Sequence, residues 1–328
     1  MKEEKKEEVK TTKDNSNKKS KIALRTIVVL IAVAIFAIAS FVTYRATYLN
    51  VISVGKEYET IFTQKYENKM RIFGISAIAI YFYILINTGF IKKGLKKFFE
   101  EEKKEFPKLP GKSTSLILAL IGGVIATIML ADKYAIFANA AEFGQVDPVF
   151  GTALEYYMFI LPFVQELLKY LIGAVIVTLA YVAIYYVITL NSYFDGVDVE
   201  TLKKNTFIKQ EMFLVTILAI LVCVYVFVGA QNILTGNMLS IGEDVDIDII
   251  GAGSADVTIK VWGYRLFSIV IFIAVIKLLS NVKKQNFKNG MMSILIIPAY
   301  LVCLFVAIIG FEAITVTNNE FDAEKEYI

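Results

Sequence analysis

At 328 residues, 56% of them hydrophobic, and with a mean hydropathy of +0.59, the chain carries more apolar surface than a soluble core of this size can hide. The net charge of +3 says little by itself, and no nucleic-acid partner is expected. Histidine is absent, which removes the commonest general base and metal ligand and excludes Ser-His-Asp catalysis and the His-based zinc motifs.

Taken in chain order, residues 1–21 are Lys, Glu, Asn and Ser with almost nothing apolar, and read as a disordered charged cytoplasmic tail. The first apolar block, 26–44, could be a secretory signal with a small-x-small site at Ala37-Ile38-Ala39. A retained span is preferred, because the apolar run continues past that site and the preceding region is long and acidic. Further blocks follow at 72–91, 113–131, 171–190, 213–230, 261–279 and 291–311. A block of about 20 residues matches a bilayer core at 1.5 Å per helical residue, and blocks this continuous are helices, not barrel strands. The expected fold class is all-α membrane: seven transmembrane helices in one bundle over 22–312, with external loops at 45–71, 132–163 and 231–260. An external C-terminal segment, 313–328, would complete the chain.

Orientation follows from lysine and arginine in alternate connections: 23 fall on the side of the N-terminus and 9 on the other. The N-terminus is therefore expected in the cytoplasm and the C-terminus outside, at the plasma membrane. Lys92, Lys93, Lys96 and Lys97 form the clearest cytoplasmic patch. They could hold anionic lipid, at about 1 kcal/mol each, or serve as a topology signal on a solvated charge run. Cys223 and Cys303 lie inside apolar blocks and read as small buried hydrophobes.

Between the third and fourth spans the chain reads Phe143-Gly144-Gln145-Val146-Asp147-Pro148-Val149-Phe150-Gly151, then Tyr156-Tyr157-Met158-Phe159-Ile160-Leu161-Pro162-Phe163. Asp147-Pro148 starts a turn, and the glycines allow angles other residues resist. The aromatics suit a membrane interface. A single helix from Tyr157 to Leu190 would be about 51 Å long, too long for one crossing. Pro162 is thus expected to break it, leaving 157–163 as an interfacial or shallow re-entrant segment.

These residues resemble a signature of the uncharacterised protein family UPF0182, approximately F-G-x-x-D-P-x-F-G-x-D followed by F-Y-x-F-x-L-P-F. Gly251 to Val257 with Tyr264-Arg265 is similar to the family's G-A-x-Y-T-D-V segment, and Val316, Asn319-Glu320, Glu324 and Tyr327-Ile328 to its run near the last span. There are departures. Ala153 stands where the family tends to have Asp, Ser254-Ala255 replace Tyr-Thr, and Trp262, Asn318 and Glu326 replace prolines. If the missing Asp and Tyr are functional, the resemblance implies that this copy is altered there. Members usually continue into a long external region after the seventh span, which implies that this chain is a membrane-only form or a truncated copy.

Glu166 and Lys169, three apart, share a helix face and can pair, either as a structural ion pair or as a proton or substrate relay. Lys277 can snorkel to head groups. Asp244, Asp246 and Asp248 alternate with aliphatics, as on the solvent-facing edge of a short hairpin, and the spacing excludes an EF-hand. No P-loop, dinucleotide fingerprint, HExxH or nucleophile elbow is present. No catalytic, cofactor-binding or metal-binding residue is assigned. The candidate functional or partner-facing residues are Phe143, Gly144, Asp147, Pro148, Tyr157, Pro162, Glu166, Lys169 and Asp256. The expected function is a non-enzymatic envelope anchor, assembly or presentation module, with the bilayer and an envelope protein or a second copy of the chain as partners. The alternative is a transporter or channel for a small solute or ion, with Gly122-Gly123, Gly173 and Pro298 as its helix-weakening positions within spans.

Overall fold

In a computed structural model of the chain, the described residues are 31, 34–35, 38–194, 206–235, 256–284 and 286–327. Among them the regular elements are helices: α1 (residues 38–54), α2 (Glu59–Glu101), α3 (Lys112–Ala138), α4 (Leu161–Tyr193), α5 (Phe207–Gly229), α6 (Val261–Lys283), α7 (Phe287–Ile294) and α8 (Ile296–Tyr327). Six stretches are long and apolar enough to cross a membrane: Lys56–Glu101, Lys112–Ala138, Tyr156–Tyr193, Phe207–Ile233, Asp256–Lys283 and Lys288–Ile314. They coincide with six of the seven expected blocks. Part of the first block (26–30, 32–33 and 36–37), the tail 1–21 and the acidic run 242–250 lie outside the described residues.

The chain divides into two compact units, 1–67 and 68–328. In the first, Tyr44, Tyr48, Phe62 and Tyr66 form an aromatic cluster, with the Tyr44 and Tyr66 rings edge-on at 4.9 Å. The Tyr48 hydroxyl donates to Glu59 Oε1 at 2.8 Å. The stretch 45–71, expected as a loop, is helical on both sides of a turn at Gly55–Tyr58. Residues 59–71 contain no proline or glycine, so nothing interrupts the helix where the hydrophobic pattern fades.

In the second unit the helices pack largely on their neighbours in sequence. α3 crosses α2 closely at Gly122 and Gly123, where an added Cβ would meet Ile80 at 3.2 Å and the Phe73 ring at 3.0 Å. Small residues of this kind let helix backbones approach where apolar burial alone cannot hold them together. The α6–α8 crossing is set by Gly263, which leaves room for Leu304, and by the Tyr300 hydroxyl donating to Gly263 O at 2.8 Å.

The best-buried core lies at the lysine-rich end: Ile91, Leu95, Phe98 and Phe99 of α2 against Val182, Tyr185, Tyr186 and Leu190 of α4 and Leu214 of α5. In the same region Lys92 donates from Nζ to Leu109 O at 2.8 Å. Lys96 and Lys97 pair along the helix with Glu100 and Glu101 at 3.8 and 3.9 Å.

Two prolines act in opposite ways, the first against expectation. Pro162 does not break the fourth span. Tyr156–Ile160 is a π-helical turn running straight into α4, with Pro162 in the first α-turn. Proline lacks the N–H that would bond to Met158 O, and its ring crowds that carbonyl; the wider π turn accommodates both. Pro298 does divide its block, since Ile294 O has no N–H to receive. α7 stops at Ile294, and Leu295 N–H bonds back to Met292 O at 3.2 Å before α8 begins. α8 runs helical to Tyr327, so the segment 313–328 is a helical continuation over its described residues.

Candidate functional site

The end of the second unit opposite the lysine-rich core holds most of the signature residues. Residues 139–155 join α3 to the π turn, and Asp147 organises them. Its carboxylate Oδ1 accepts the N–H groups of Val149 (2.8 Å) and Phe150 (3.0 Å). Oδ2 accepts the Thr152 N–H (3.2 Å) and the Tyr157 hydroxyl (2.8 Å). The backbone closes the same turn, with Asp147 N–H to Thr152 O at 2.9 Å and Gly151 N–H to Asp147 O at 3.0 Å. Gly151 takes φ +64 and Gly144 φ +67, left-handed angles that a Cβ makes costly. Pro148 has no N–H to satisfy and pre-sets the turn's φ. An isolated antiparallel bridge joins Val146 to Ala153, the position where the signature tends to carry Asp.

Asp147 is 5% exposed. Burial alone would raise its pKa, but the bonds from Phe150, Tyr157, Val149 and Thr152 to the ionised form prevail and hold the carboxyl below its ordinary value. With both oxygens accepting two bonds each, the carboxylate is committed to holding the turn. Among the described residues no cluster of His, Cys, Asp or Glu could hold a metal ion.

Tyr157 carries the turn's order into the helices. Beside it the Tyr156 hydroxyl donates to Gln231 Oε1 at 2.9 Å, and Gln165 Nε2 donates to Asn232 Oδ1 at 2.8 Å, tying the head of α4 to the 3₁₀ turn Ala230–Thr235 after α5. Phe143 stacks on Phe159 at 5.7 Å and remains half exposed. From the other side, Asp256 pairs with Lys260 at 2.7 Å within a second π turn, Asp256–Lys260, and Lys260 reaches Glu312 of α8 at 3.4 Å. Arg265, in the second turn of α6, lays its guanidinium over the rings of Phe150 (4.8 Å), Phe227 (5.2 Å) and Trp262 (5.3 Å). Glu166 and Lys169 meet at 2.8 Å, with Lys169 nearly half exposed.

A family model for the "Uncharacterised protein family (UPF0182)" matches residues 24–328. The chain belongs to this family. It is similar to a UPF0182 protein of Clostridium perfringens (strain SM101 / Type A), 26% identical over 267 residues, covering 76% of this chain and 27% of that protein. It is also similar to UPF0182 proteins of Alkaliphilus metalliredigens, 24% identical over 83% of this chain and 30% of that protein, and of Caldicellulosiruptor saccharolyticus, 18% identical over 85% and 30%. The chain thus spans under a third of the length of these relatives. No solved structure matches it.

In this UPF0182 chain, Asp147 and Pro148 form the turn, Tyr157 bonds to it from the π turn, Phe143 and Gly144 precede it with Phe143 on Phe159, and Asp256 stands in the ion-pair array of the second π turn. Glu166 and Lys169 pair with each other. Sequence reasoning passed over Gln165, Gln231, Asn232, Lys260 and Glu312, whose partners are distant in the chain, and gave Arg265 only as part of a motif. An arginine in the second turn of an apolar span was itself a signal, because charge at membrane depth is expensive.

A second polar layer lies at the lysine-rich end. Gln210 Nε2 donates to Asn87 O (3.2 Å) and Oδ1 (3.3 Å), Thr88 bonds Tyr181 at 2.9 Å, and Tyr186 bonds Thr206 at 3.1 Å. Buried here without a hydrogen-bond partner among the described residues are Gln210 Oε1 and Glu211 Oε1.

Proposed function

We propose that this chain is a seven-span plasma-membrane protein, N-terminus in the cytoplasm and C-terminus outside, whose outer end is a preformed platform that anchors, assembles or presents an envelope protein or a second copy of the chain. The observation that carries this reading is the bracing of the outer end. The Asp147 turn, the Tyr156-Tyr157 π turn, the Gln231-Asn232 turn and the Lys260–Glu312 pair are each locked by side-chain bonds, leaving Val146 and Phe143 exposed at 65% and 47%. Exposed apolar groups on a rigid frame bind at low ordering cost. Membrane insertion is supported by the helix flanks. Ile128, 76% exposed, and Ile184, 57% exposed, belong to apolar faces far larger than a soluble monomer leaves in water. The orientation rests on the lysine and arginine bias. A non-enzymatic role belongs to the same reading.

A photo-crosslinking residue placed at Val146 or Phe143 in native membranes tests the platform. A discrete adduct with an envelope protein or a second copy is the expected result, and Lys97 at the opposite end should give none. A clean monomer from both outer positions would count decisively against it.

One observation favours the transporter reading: the Oε1 atoms of Gln210 and Glu211 lie buried with no hydrogen-bond partner among the described residues. Such groups mark ion and proton paths in membrane proteins. Flux in proteoliposomes that disappears in Glu211→Gln would establish it, and no flux under any ion or proton gradient would remove it.

A further inference from the structure

The outer end contains a cation that its contacts among the described residues leave without a counter-ion. Around the Arg265 guanidinium stand Phe150, Phe227 and Trp262, at 4.8 to 5.3 Å. Ring faces stabilise a positive charge, yet they take up none of the five N–H donors of a guanidinium in ordinary hydrogen bonds. Among the described residues no carboxylate forms a salt bridge with Arg265, and its covered Nε has no acceptor. Of the described acids at this end, Asp147 is engaged with four donors, and Asp256 and Glu312 with Lys260.

The surroundings say what kind of anion fits. Trp262 and Phe227 are 59% and 49% exposed, and the same sides of α6 and α5 continue as exposed Leu266, Ile269, Ile220 and Val224. The guanidinium therefore opens at the flank of the bundle, at the head of a continuous apolar face. Phe150 closes it from above, and its own N–H is fixed by Asp147. A ligand that satisfies both parts carries anionic oxygens in the spacing of a guanidinium fork and an apolar tail below them. A carboxylate or phosphoryl group fits the fork, and the phosphodiester of a glycerophospholipid supplies the tail as well.

We propose that Arg265 binds the phosphodiester of an outer-leaflet phospholipid, with Trp262 and Phe227 flanking the head group and the acyl chains lying on α5 and α6. On this account the Asp147 turn acts at a distance: by holding Phe150 it completes the third wall of a lipid site. The inference rests on the membrane-inserted orientation proposed above.

Trp262 is the one tryptophan in the chain, so its fluorescence reports this site directly. The full-length protein is reconstituted in vesicles of phosphatidylcholine and phosphatidylglycerol containing rising fractions of phosphatidylcholine spin-labelled at the head group or along the acyl chain. In the wild type, head-group label should quench Trp262 at a fraction about tenfold below that needed in Arg265→Gln, the loss of one charge-assisted contact. Arg265→Lys keeps the charge without the fork and should fall between the two, which separates lost binding from lost folding. Millimolar orthophosphate should leave the wild-type curve unchanged. If it relieves the quenching, the site takes free phosphate and the lipid assignment is overturned. Acyl-chain quenching in every variant with identical head-group curves would sink this inference alone; no quenching from either label in any variant would sink the membrane reading together with it.

Discussion

At the scale of single residues the end that holds the signature is governed by Asp147, whose carboxylate gathers three backbone N–H groups and one hydroxyl. Asp147→Ala leaves those donors with no acceptor and should destabilise the turn by about 3 kcal/mol, read as lost amide protection at Val149, Phe150 and Thr152. Asp147→Asn keeps one acceptor oxygen but turns an NH2 donor toward the other pair of donors, and should cost about 2 kcal/mol. Tyr157→Phe should cost about 1 kcal/mol, because it removes a single buried bond. The pH dependence has a definite sign. The folded pKa of Asp147 lies below its ordinary value, so its contribution is complete above the ordinary carboxylate pKa and is lost as pH falls through the folded one. Protection of the three amides should therefore hold from neutral pH down to about 4 and drop only in stronger acid. A fall in protection already at pH 6 would show that another group controls the turn.

At the scale of elements, helix crossings depend on which glycines face a neighbour. A Cβ on Gly94 would collide with Thr206 Oγ1 and come within 2.7 Å of the Tyr186 hydroxyl, whereas one on Gly89, a turn and a half earlier on α2, meets nothing within 4 Å. Gly94→Ala should destabilise the lysine-rich end by about 1–3 kcal/mol through overpacking. Gly89→Ala should be neutral or stabilising by up to about 1 kcal/mol from helix propensity. Thermal unfolding in one detergent, comparing the two variants, checks the pair; equal effects would place the α2–α4–α5 junction elsewhere.

The element scale is also where sequence and structure part. The seven blocks were legible because a bilayer-length apolar run has few other uses, and six of them are found as helices. Their ends were not. Hydropathy marks the length that lipid would cover, whereas a helix stops where backbone hydrogen bonding fails. α2 therefore continues through charged residues to Glu101, and α4 is fed by a π turn that carries the register past Pro162. Proline has opposite consequences at two places for the same missing N–H, and only the backbone around it shows which.

At the scale of the whole molecule, the proposed orientation makes the Asp147 turn external and the α2–α3 connection internal. With Cys223 and Cys303 replaced by Ala, a cysteine at Val146 should react with an impermeant maleimide on intact cells. A cysteine at Lys97 should react only after permeabilisation. The reverse pattern would invert the topology and place the platform in the cytoplasm. Replacing Lys92, Lys93, Lys96 and Lys97 together with Gln should yield a mixed population by the same assay, since those charges weigh heavily in the bias that orients the chain.

Composition and block length, by themselves, determined that this is an all-helical chain with spans of membrane length, and a few signature residues were enough to place it in its family. Both properties reside in local runs of residues and need no knowledge of what touches what. The signature's geometry was decided only in three dimensions. Asp147, Tyr157, Phe150 and Arg265 gain their roles from partners up to 115 positions away, as when the Phe150 ring covers Arg265. Hydrogen bonds and ring contacts act over a few ångströms of space, whatever the distance along the chain, and so the braced signature end and its ring-covered arginine are properties of the packed bundle alone.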